Sequence, residues 1–245
     1  MTTLNMVMLA DMVAPDTVAV AAKLSERAAQ FGPVEIPEPD GDTAVFRMGE
    51  HMVFVSHMPG QIPAEDLEWP AQVAGWYWED AIEQVKTHKS HVIVGTMSEA
   101  DPITQHLLVT HTAAAVCEAA NAICVYWGTS GVLTPSDMYI EQASTADAES
   151  LPVPLWLSVS WAKLEDGRME IVTHGLTEFG HLELGSRSDD PDATFFLYDI
   201  AGYLMSSGAQ LEHGQTIGSS EDEKLGIVHG PAPWEGDDIV VWIGD

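Results

Sequence analysis

The sequence is poor in basic side chains. Nine Lys and Arg residues stand against 38 Asp and Glu residues, which gives a formal net charge of −29 over 245 residues. Nine scattered cations cannot form the continuous basic surface that binds a nucleic-acid backbone, and anionic lipid is disfavoured for the same reason. We therefore expect neither a nucleic-acid nor a membrane partner. A basic protein or a cation would be attracted, although a salt-rich cytoplasm selects the same composition.

Cysteine is scarce as well. Cys117 and Cys124 are too few for a disulfide framework, and their apolar surroundings predict buried thiols. Asp11 interrupts the first apolar run, which no basic segment precedes, so we expect no signal peptide. The most apolar stretch, residues 113–127, carries Glu118 and is too short to span a bilayer. These features predict a soluble, cytoplasmic protein.

The hydrophobic pattern predicts an α+β fold. With 46% hydrophobic residues, the chain can bury a sizeable core. The first hundred residues follow the order β-α-β-β-α-β of a ferredoxin-like unit. Its predicted elements are strands at residues 4–9, 43–48, 51–57 and 91–97, and helices that begin at Pro15–Asp16 and at Pro63 and continue to residues 31 and 87.

The second half follows a similar order with one extra strand. A helix over residues 102–121 is apolar nearly all round, which predicts burial. Beyond it we predict strands at residues 123–127, 155–164, 168–174, 225–229 and 239–243, and helices from Pro135 and over residues 193–207. The expected architecture is two ferredoxin-like (βαββαβ) halves, residues 1–100 and 101–245, packed around the central buried helix, as two domains or as one compact domain.

The acidic residues collect in predicted turns and loops, where solvated side chains are the ordinary interpretation. If several of these clusters converge in space, they form one acidic face. The clusters are residues 38–42, 147–149, 189–192, 221–223 and 235–238.

No motif names a reaction. The ten histidines show no metal-ligand spacing, so we expect no metal, no cofactor and no catalytic residue. Glu118 lies in the apolar helix with His111 two turns earlier on the same side. A carboxylate there must be paired or have a raised proton affinity, as a structural anchor or as a functional acid.

The segment Tyr126, Trp127 and Gly128 to Gly131 is the other candidate. It follows a predicted strand and precedes a predicted helix, a position that often binds anions on free backbone amides. A tight turn that requires glycine geometry is the alternative interpretation.

Eight tryptophans are many for this length. Trp76 and Trp78 on one predicted helix, and Trp156 and Trp161 on one predicted strand, cannot all point inward. Exposed tryptophans mark interfaces, so these four are candidates for a binding surface or a dimer interface, with packing against the sheet as the alternative.

Several short motifs resemble the bacterial family catalogued as domain of unknown function 4261. The resemblance covers roughly residues 65–230 and implies a bacterial protein without an established activity or catalytic residues. His213 stands where this family leads us to expect Asp. The motifs are residues 116–120, 125–128, 154–157, 173–176, Phe179–Gly180, Glu183 and residues 214–218.

Three functional hypotheses follow from these observations. The leading one is a non-enzymatic acidic binding protein, such as an immunity or inhibitor protein that sequesters a basic protein. The second is an enzyme or small-ligand binder that uses a crevice near Glu118, Tyr126 and the Gly128–Gly131 loop. The third is a housekeeping homodimer.

Overall fold

The computed structural model describes residues 3–36, 43–190, 192–218 and 224–244. The chain divides into unit 1, Met1–Trp156, and unit 2, Leu157–Asp245. Unit 1 contains β1 (Leu4–Leu9), α1 (Thr17–Arg27), β2 (Val34–Glu35), β3 (Thr43–Met48), β4 (His51–Met58), α2 (Ala64–Ala74), α3 (Ala81–Val85), β5 (Ser90–Thr96), α4 (Pro102–Ala119), β6 (Ala122–Trp127), β7 (Val132–Pro135), α5 (Ser136–Ala143) and α6 (Val153–Trp156).

The sheet of unit 1 has seven strands in the order β2-β3-β4-β5-β1-β6-β7, and each neighbouring pair is antiparallel. A ferredoxin-like arrangement would place β1 between β4 and β5. Here β5 lies between β4 and β1 instead. The four predicted strands are present in the first hundred residues, but β2 is an additional strand and the order in the sheet differs from the expected one. Both orders satisfy the same alternating pattern along each strand, so the pattern does not select between them.

The expected boundary at residue 100 falls between β5 and α4, inside unit 1. The structure divides the chain later, at Trp156, because β6 and β7 extend the first sheet beside β1. The predicted strand at residues 123–127 and the helix that follows it therefore belong to unit 1, and not to a second βαββαβ half.

The first sheet carries helices on both faces. The helix α4 packs against β1, β5 and β6, together with α1 and α5. Twelve of its 18 residues are buried, which confirms the prediction of a buried helix. The opposite face packs against α2 and α3 through an apolar cluster that includes Met8, Cys124 and Leu133. Cys117 and Cys124 are both buried free thiols, as predicted.

The single helix predicted from Pro63 to residue 87 is two helices. Pro70 lies inside α2, so the break is not at the proline. α2 ends at Ala74, a turn follows, and α3 begins at Ala81. This break leaves α3 as a separate short helix beside α2.

Unit 2 contains β8 (Ser158–Lys163), β9 (Met169–His174), β10 (Glu183–Ser188), α7 (Ala193–Ser207), β11 (Thr216–Ile217), β12 (Leu225–Pro231) and β13 (Ile239–Ile243). Its six strands follow the order β11-β12-β13-β10-β9-β8. β10 and β13 are parallel, while the other pairs are antiparallel. The predicted hairpin is confirmed as β8 and β9, and α7 has the predicted bounds. The sequence pattern missed β10.

One face of the second sheet holds Trp242, which is 2% exposed. Its indole lies over two glycines on the neighbouring strands, because a Cβ atom built on Gly185 would lie 2.7 Å from the ring and one on Gly230 would lie 3.0 Å from it. The Arg187 guanidinium carbon stands 4.1 Å from the ring centroid, and its Nε donates to Glu170 at 3.0 Å. The two glycines leave the space that the ring occupies.

The described acidic clusters of unit 2 do not form one face. Residues 189–192 follow the end of β10, whereas residues 235–238 precede the start of β13. Since these two strands are parallel, the clusters lie at opposite ends of the sheet. Residues 147–149 belong to unit 1, while residues 38–42 and 221–223 lie outside the described residues, as does Pro191.

Among the described residues, no helix combines the length and the apolar character needed to cross a bilayer.

We predict that Gly185→Ala lowers the free energy of unfolding by about 1–3 kcal/mol, because the new methyl group overlaps the Trp242 ring. Urea titration followed by circular dichroism measures the change. In a Trp242→Leu background, the same alanine should cost clearly less. An equal cost in both backgrounds would show that the ring is not the reason.

Candidate functional site

Glu118 and His111 both contact the end of α1 and the segment after it, since Arg27 is the last residue of α1 and Gln30 lies in the 3₁₀ turn Ala29–Phe31. Glu118 lies on the exposed last turn of α4, where its Oε2 accepts a hydrogen bond from Arg27 Nε at 2.8 Å. The hydrogen bond from Arg27 lowers the pKa of the Glu118 carboxyl, so of the two alternatives the structure favours a paired carboxylate over one with a raised proton affinity. His111 Nε2 lies 3.2 Å from Gln30 Nε2, and burial lowers its pKa to about 4. This side of α4 therefore anchors two helical segments.

The proposed crevice near Glu118 is not formed by the residues assigned to it. Tyr126 points to the α2 face of the sheet and its hydroxyl donates to Asp66 O at 3.4 Å. Trp127 points to the α4 face, where its ring stacks on His106 with a centroid distance of 5.2 Å. Glu118 precedes the start of β6, whereas Gly128 follows its end. These residues thus lie on different faces and at opposite ends of one strand.

The loop from Gly128 to Gly131 is a hairpin turn between β6 and β7, and no helix follows it directly. Gly131 has a φ of +71° and its amide donates to Trp127 O at 2.8 Å. A Cβ atom at Gly131 would overlap the Trp69 ring. The structure therefore favours the tight turn over the anion cradle.

The buried carboxylate that holds a loop is Glu183 on β10, which the sequence pattern did not single out for this role. It accepts hydrogen bonds from Thr173 Oγ1 at 2.7 Å and from the amides of Gly175 at 2.8 Å and Thr177 at 3.3 Å. Burial raises its pKa despite these donors. Glu183 secures the 3₁₀ turn Leu176–Phe179 against the sheet, so it has the anchoring role that we considered for Glu118.

Ser160 and His174 form a hydrogen-bonded pair across β8 and β9. Ser160 Oγ lies 2.8 Å from His174 Nε2, and burial lowers the pKa of His174 to about 4. The Trp234 ring lies beside the imidazole at a centroid distance of 5.4 Å. A hydroxyl bonded to an imidazole is one component of a nucleophile–base pair. Glu183 does not orient this imidazole, because it bonds Thr173, whose side chain leaves β9 on the other face.

The four candidate interface tryptophans differ widely in exposure. Trp76 is 49% exposed, and Trp78 packs partly against the apolar cluster under α2. Trp156 is 1% exposed and donates to Thr110 Oγ1 at 2.8 Å, so its assignment to a surface is wrong. Trp161 is half-buried and donates to Thr194 Oγ1 at 3.2 Å. Trp156 lies in α6 and Trp161 in β8, so they do not share a strand either.

A second exposed tryptophan joins Trp76. Trp69 on α2 is 44% exposed, and Val73 lies between the two along the helix. The spacing of four and then three residues places all three on one side, since Gly75 continues the helical backbone conformation. We call Trp69, Val73 and Trp76 the tryptophan face. Gly131 leaves the space for the Trp69 ring, so the β6–β7 turn helps to position this face.

The segment that carries the tryptophan face is rich in acidic side chains. Between residues 64 and 88 six exposed carboxylates accompany one ammonium group, and Lys86 Nζ is bound to Glu83 at 3.2 Å. This ratio of acidic to basic side chains is higher than the ratio of 38 to 9 in the whole chain. The carboxylates are Glu65, Asp66, Glu68, Glu79, Asp80 and Glu83. In the part of the chain that the structure describes, no three His, Cys, Asp or Glu side chains are placed to hold a metal ion.

Comparison with known proteins gives one family match. Residues 172–241 match the family model described as "Domain of unknown function (DUF4261)". This match confirms, within unit 2, the resemblance seen in the sequence; it includes Glu183 and His174 but not residues 116–128. No curated protein and no solved structure matches the chain.

We predict that His174 makes the folded state sensitive to acid. Its folded pKa of about 4 lies below the ordinary value of 6.5, so between these values the unfolded chain binds more protons. The free energy of unfolding should therefore fall as the pH drops through this window, by about 1–3 kcal/mol for this residue. Urea titrations at several pH values, compared with those of His174→Gln, measure the effect.

Ser160→Ala is the matched control, because it removes the hydrogen bond and keeps the titrating ring. It should retain most of the pH dependence that His174→Gln loses. Parallel stability curves for wild type and His174→Gln would contradict the assignment.

Proposed function

We propose that this protein is a non-enzymatic acidic binding protein whose tryptophan face and surrounding carboxylates bind a basic protein partner, as inhibitors and immunity proteins sequester their targets. The observation that carries the proposal is the exposure of Trp69 and Trp76, at 44% and 49%, on a segment that carries six exposed carboxylates and one lysine.

The apolar contribution comes from the two indoles. Large aromatic side chains in the centre of an interface often supply about 2 kcal/mol or more each to binding. Val73 is partly exposed and lies between them along the helix, so the three side chains form an apolar strip on one side of it. Such a strip supports a protein interface better than single scattered apolar residues would.

The electrostatic contribution selects the partner. A net charge of −29 steers a basic protein toward the molecule and repels phosphate backbones. A second copy of this chain carries the same charge and the same six carboxylates. Self-association through the tryptophan face is therefore disfavoured, which speaks against the homodimer hypothesis for this surface.

The enzyme hypothesis has less support. Glu118 is bound to Arg27, Tyr126 faces α2, and the Gly128–Gly131 loop closes a hairpin. The residues on which that hypothesis rested do not converge.

We predict that Trp69→Ala and Trp76→Ala each weaken binding of a basic partner by about thirty-fold, since each removes a central apolar contact worth about 2 kcal/mol. The immobilised protein is exposed to lysate of the source organism at low and at high ionic strength, and the retained proteins are identified and titrated. Phe195→Ala is the matched control, because Phe195 is 55% exposed on α7.

Two results would count against the proposal. One is that wild type and both tryptophan variants retain the same proteins equally well. The other is that no basic protein is retained at either ionic strength. Sedimentation of the purified protein as a dimer, abolished by Trp76→Ala, would instead assign the face to self-association.

A further inference from the structure

A cleft lies beside the tryptophan face, between α2 and α3. Its volume is about 620 Å³, within the range of pockets that hold small ligands or several side chains. Four of its apolar residues belong to the core cluster of unit 1, namely Ile62, Leu67, Ala71 and Val85. Ile82 on α3 also lines it and is 43% exposed. The cleft thus has a floor of nearly buried core residues, and Ile82 supplies exposed apolar surface at its side.

The wall of the cleft is held by His88. The amide of Ile62 donates to His88 Nε2 at 2.8 Å, so the imidazole proton is on Nδ1, which donates to Val85 O. Gln61 Nε2 donates to the carbonyl oxygens of His88 and Lys86. These bonds join the segment before α2 to the end of α3. A wall fixed in this way loses little freedom when a ligand binds.

The rim of the cleft is acidic. Glu65 and Glu68 on α2 line it and are exposed. Lys86 also lines it, but its ammonium group is bound to Glu83. An occupant therefore meets an apolar floor with carboxylates along one edge. Glu68 and Gln72 lie one residue before Trp69 and Val73 on α2, so the cleft and the tryptophan face are adjacent.

We propose that this cleft binds an amphipathic basic segment of the partner, with large apolar side chains on Leu67, Ala71 and Ile82 and with Lys or Arg side chains on Glu65 and Glu68. This inference rests on the proposed function and names the chemistry that the site recognises. The segment continues from the cleft onto the tryptophan face.

A second copy of this chain does not supply such a segment. Its nine basic residues are scattered. Among the described helices, α1 carries two of them, Lys23 and Arg27, but these are bound to Glu26 and Glu118, and the apolar side chains beside them are buried. An acidic or uncharged apolar segment would leave the rim carboxylates without counter-charges. The charge of the rim thus selects a cationic occupant.

The first test uses synthetic peptides with the full-length protein. One peptide carries Leu and Lys at helical spacing, a second replaces Leu with Ser, and a third replaces Lys with Glu. Calorimetry should show binding of the Leu/Lys peptide, binding at least about tenfold weaker for the Ser/Lys peptide, and none for the Leu/Glu peptide. Equal binding of the two basic peptides would overturn the proposal, because the floor would then contribute nothing.

The second test locates the binding site. Ile82→Ser and Glu68→Lys should each weaken the Leu/Lys peptide by about tenfold. Val18→Ser and Glu141→Lys are the matched controls, since Val18 is 67% exposed on α1 and Glu141 is exposed on α5. Both controls should bind like wild type. Unchanged binding by Ile82→Ser would overturn the proposal.

The outcomes separate this inference from the proposed function. If Trp76→Ala no longer binds the basic partner but Ile82→Ser and Glu68→Lys still bind it, the assignment of the cleft is wrong and the proposed function stands. If no basic protein is retained by wild type, the function is wrong, and the peptide titrations still decide whether the cleft recognises the proposed chemistry.

Discussion

The fold of unit 1 depends on a helix that is buried although it carries polar side chains. A buried polar group without a partner costs more than the hydrogen bond itself contributes, so polar side chains of α4 that contact a neighbouring element constrain its position. His106 stacks on Trp127 of β6, and Thr110 accepts from Trp156 of α6. On the sheet below, Asn5 of β1 donates to the hydroxyl of Tyr139 of α5 at 3.3 Å. These contacts join elements that are far apart in the sequence, and they place β6 with its hairpin at the position from which Gly131 meets Trp69.

Local sequence patterns predicted most helices and strands. They did not predict the features that depend on pairing between distant segments. β3, α7 and β13 have the predicted bounds because alternation, helical periodicity and the capping glycine are local signals. The order of strands in an antiparallel sheet has no comparable signal, which is why β5 could be expected at the edge and is found between β4 and β1. Glu118 and Glu183 show the same limit of local sequence patterns. Glu118 has apolar neighbours along the chain but lies at the end of its helix, whereas Glu183 is buried by β9 and by a turn that the pattern did not predict.

The tryptophans show how far residue type alone can identify a site. A tryptophan count indicates that some indoles are at the surface, but which ones depends on the face that the sheet covers. Trp156 was expected at an interface and is enclosed by α4, while Trp69 was not considered and is half-exposed. The spacing Trp69, Val73, Trp76 was a usable signal, since it is a helical apolar stripe next to Glu65 and Glu68. The same stripe is also typical of the buried side of a helix, so the spacing alone does not place these residues at the surface.

Net charge and site chemistry contribute to binding in different ways. The described acidic clusters of unit 2 lie at opposite ends of their sheet, so they act on a distant partner as a diffuse field that salt screens over about 8 Å. Such a field raises the rate of association and adds little to the lifetime of a complex. The indoles and the apolar floor between α2 and α3 act only at contact and are insensitive to screening. A partner bound through both the field and the apolar contacts would therefore associate more slowly in salt but dissociate at a similar rate. A counter-ion held by charge alone would be released by salt.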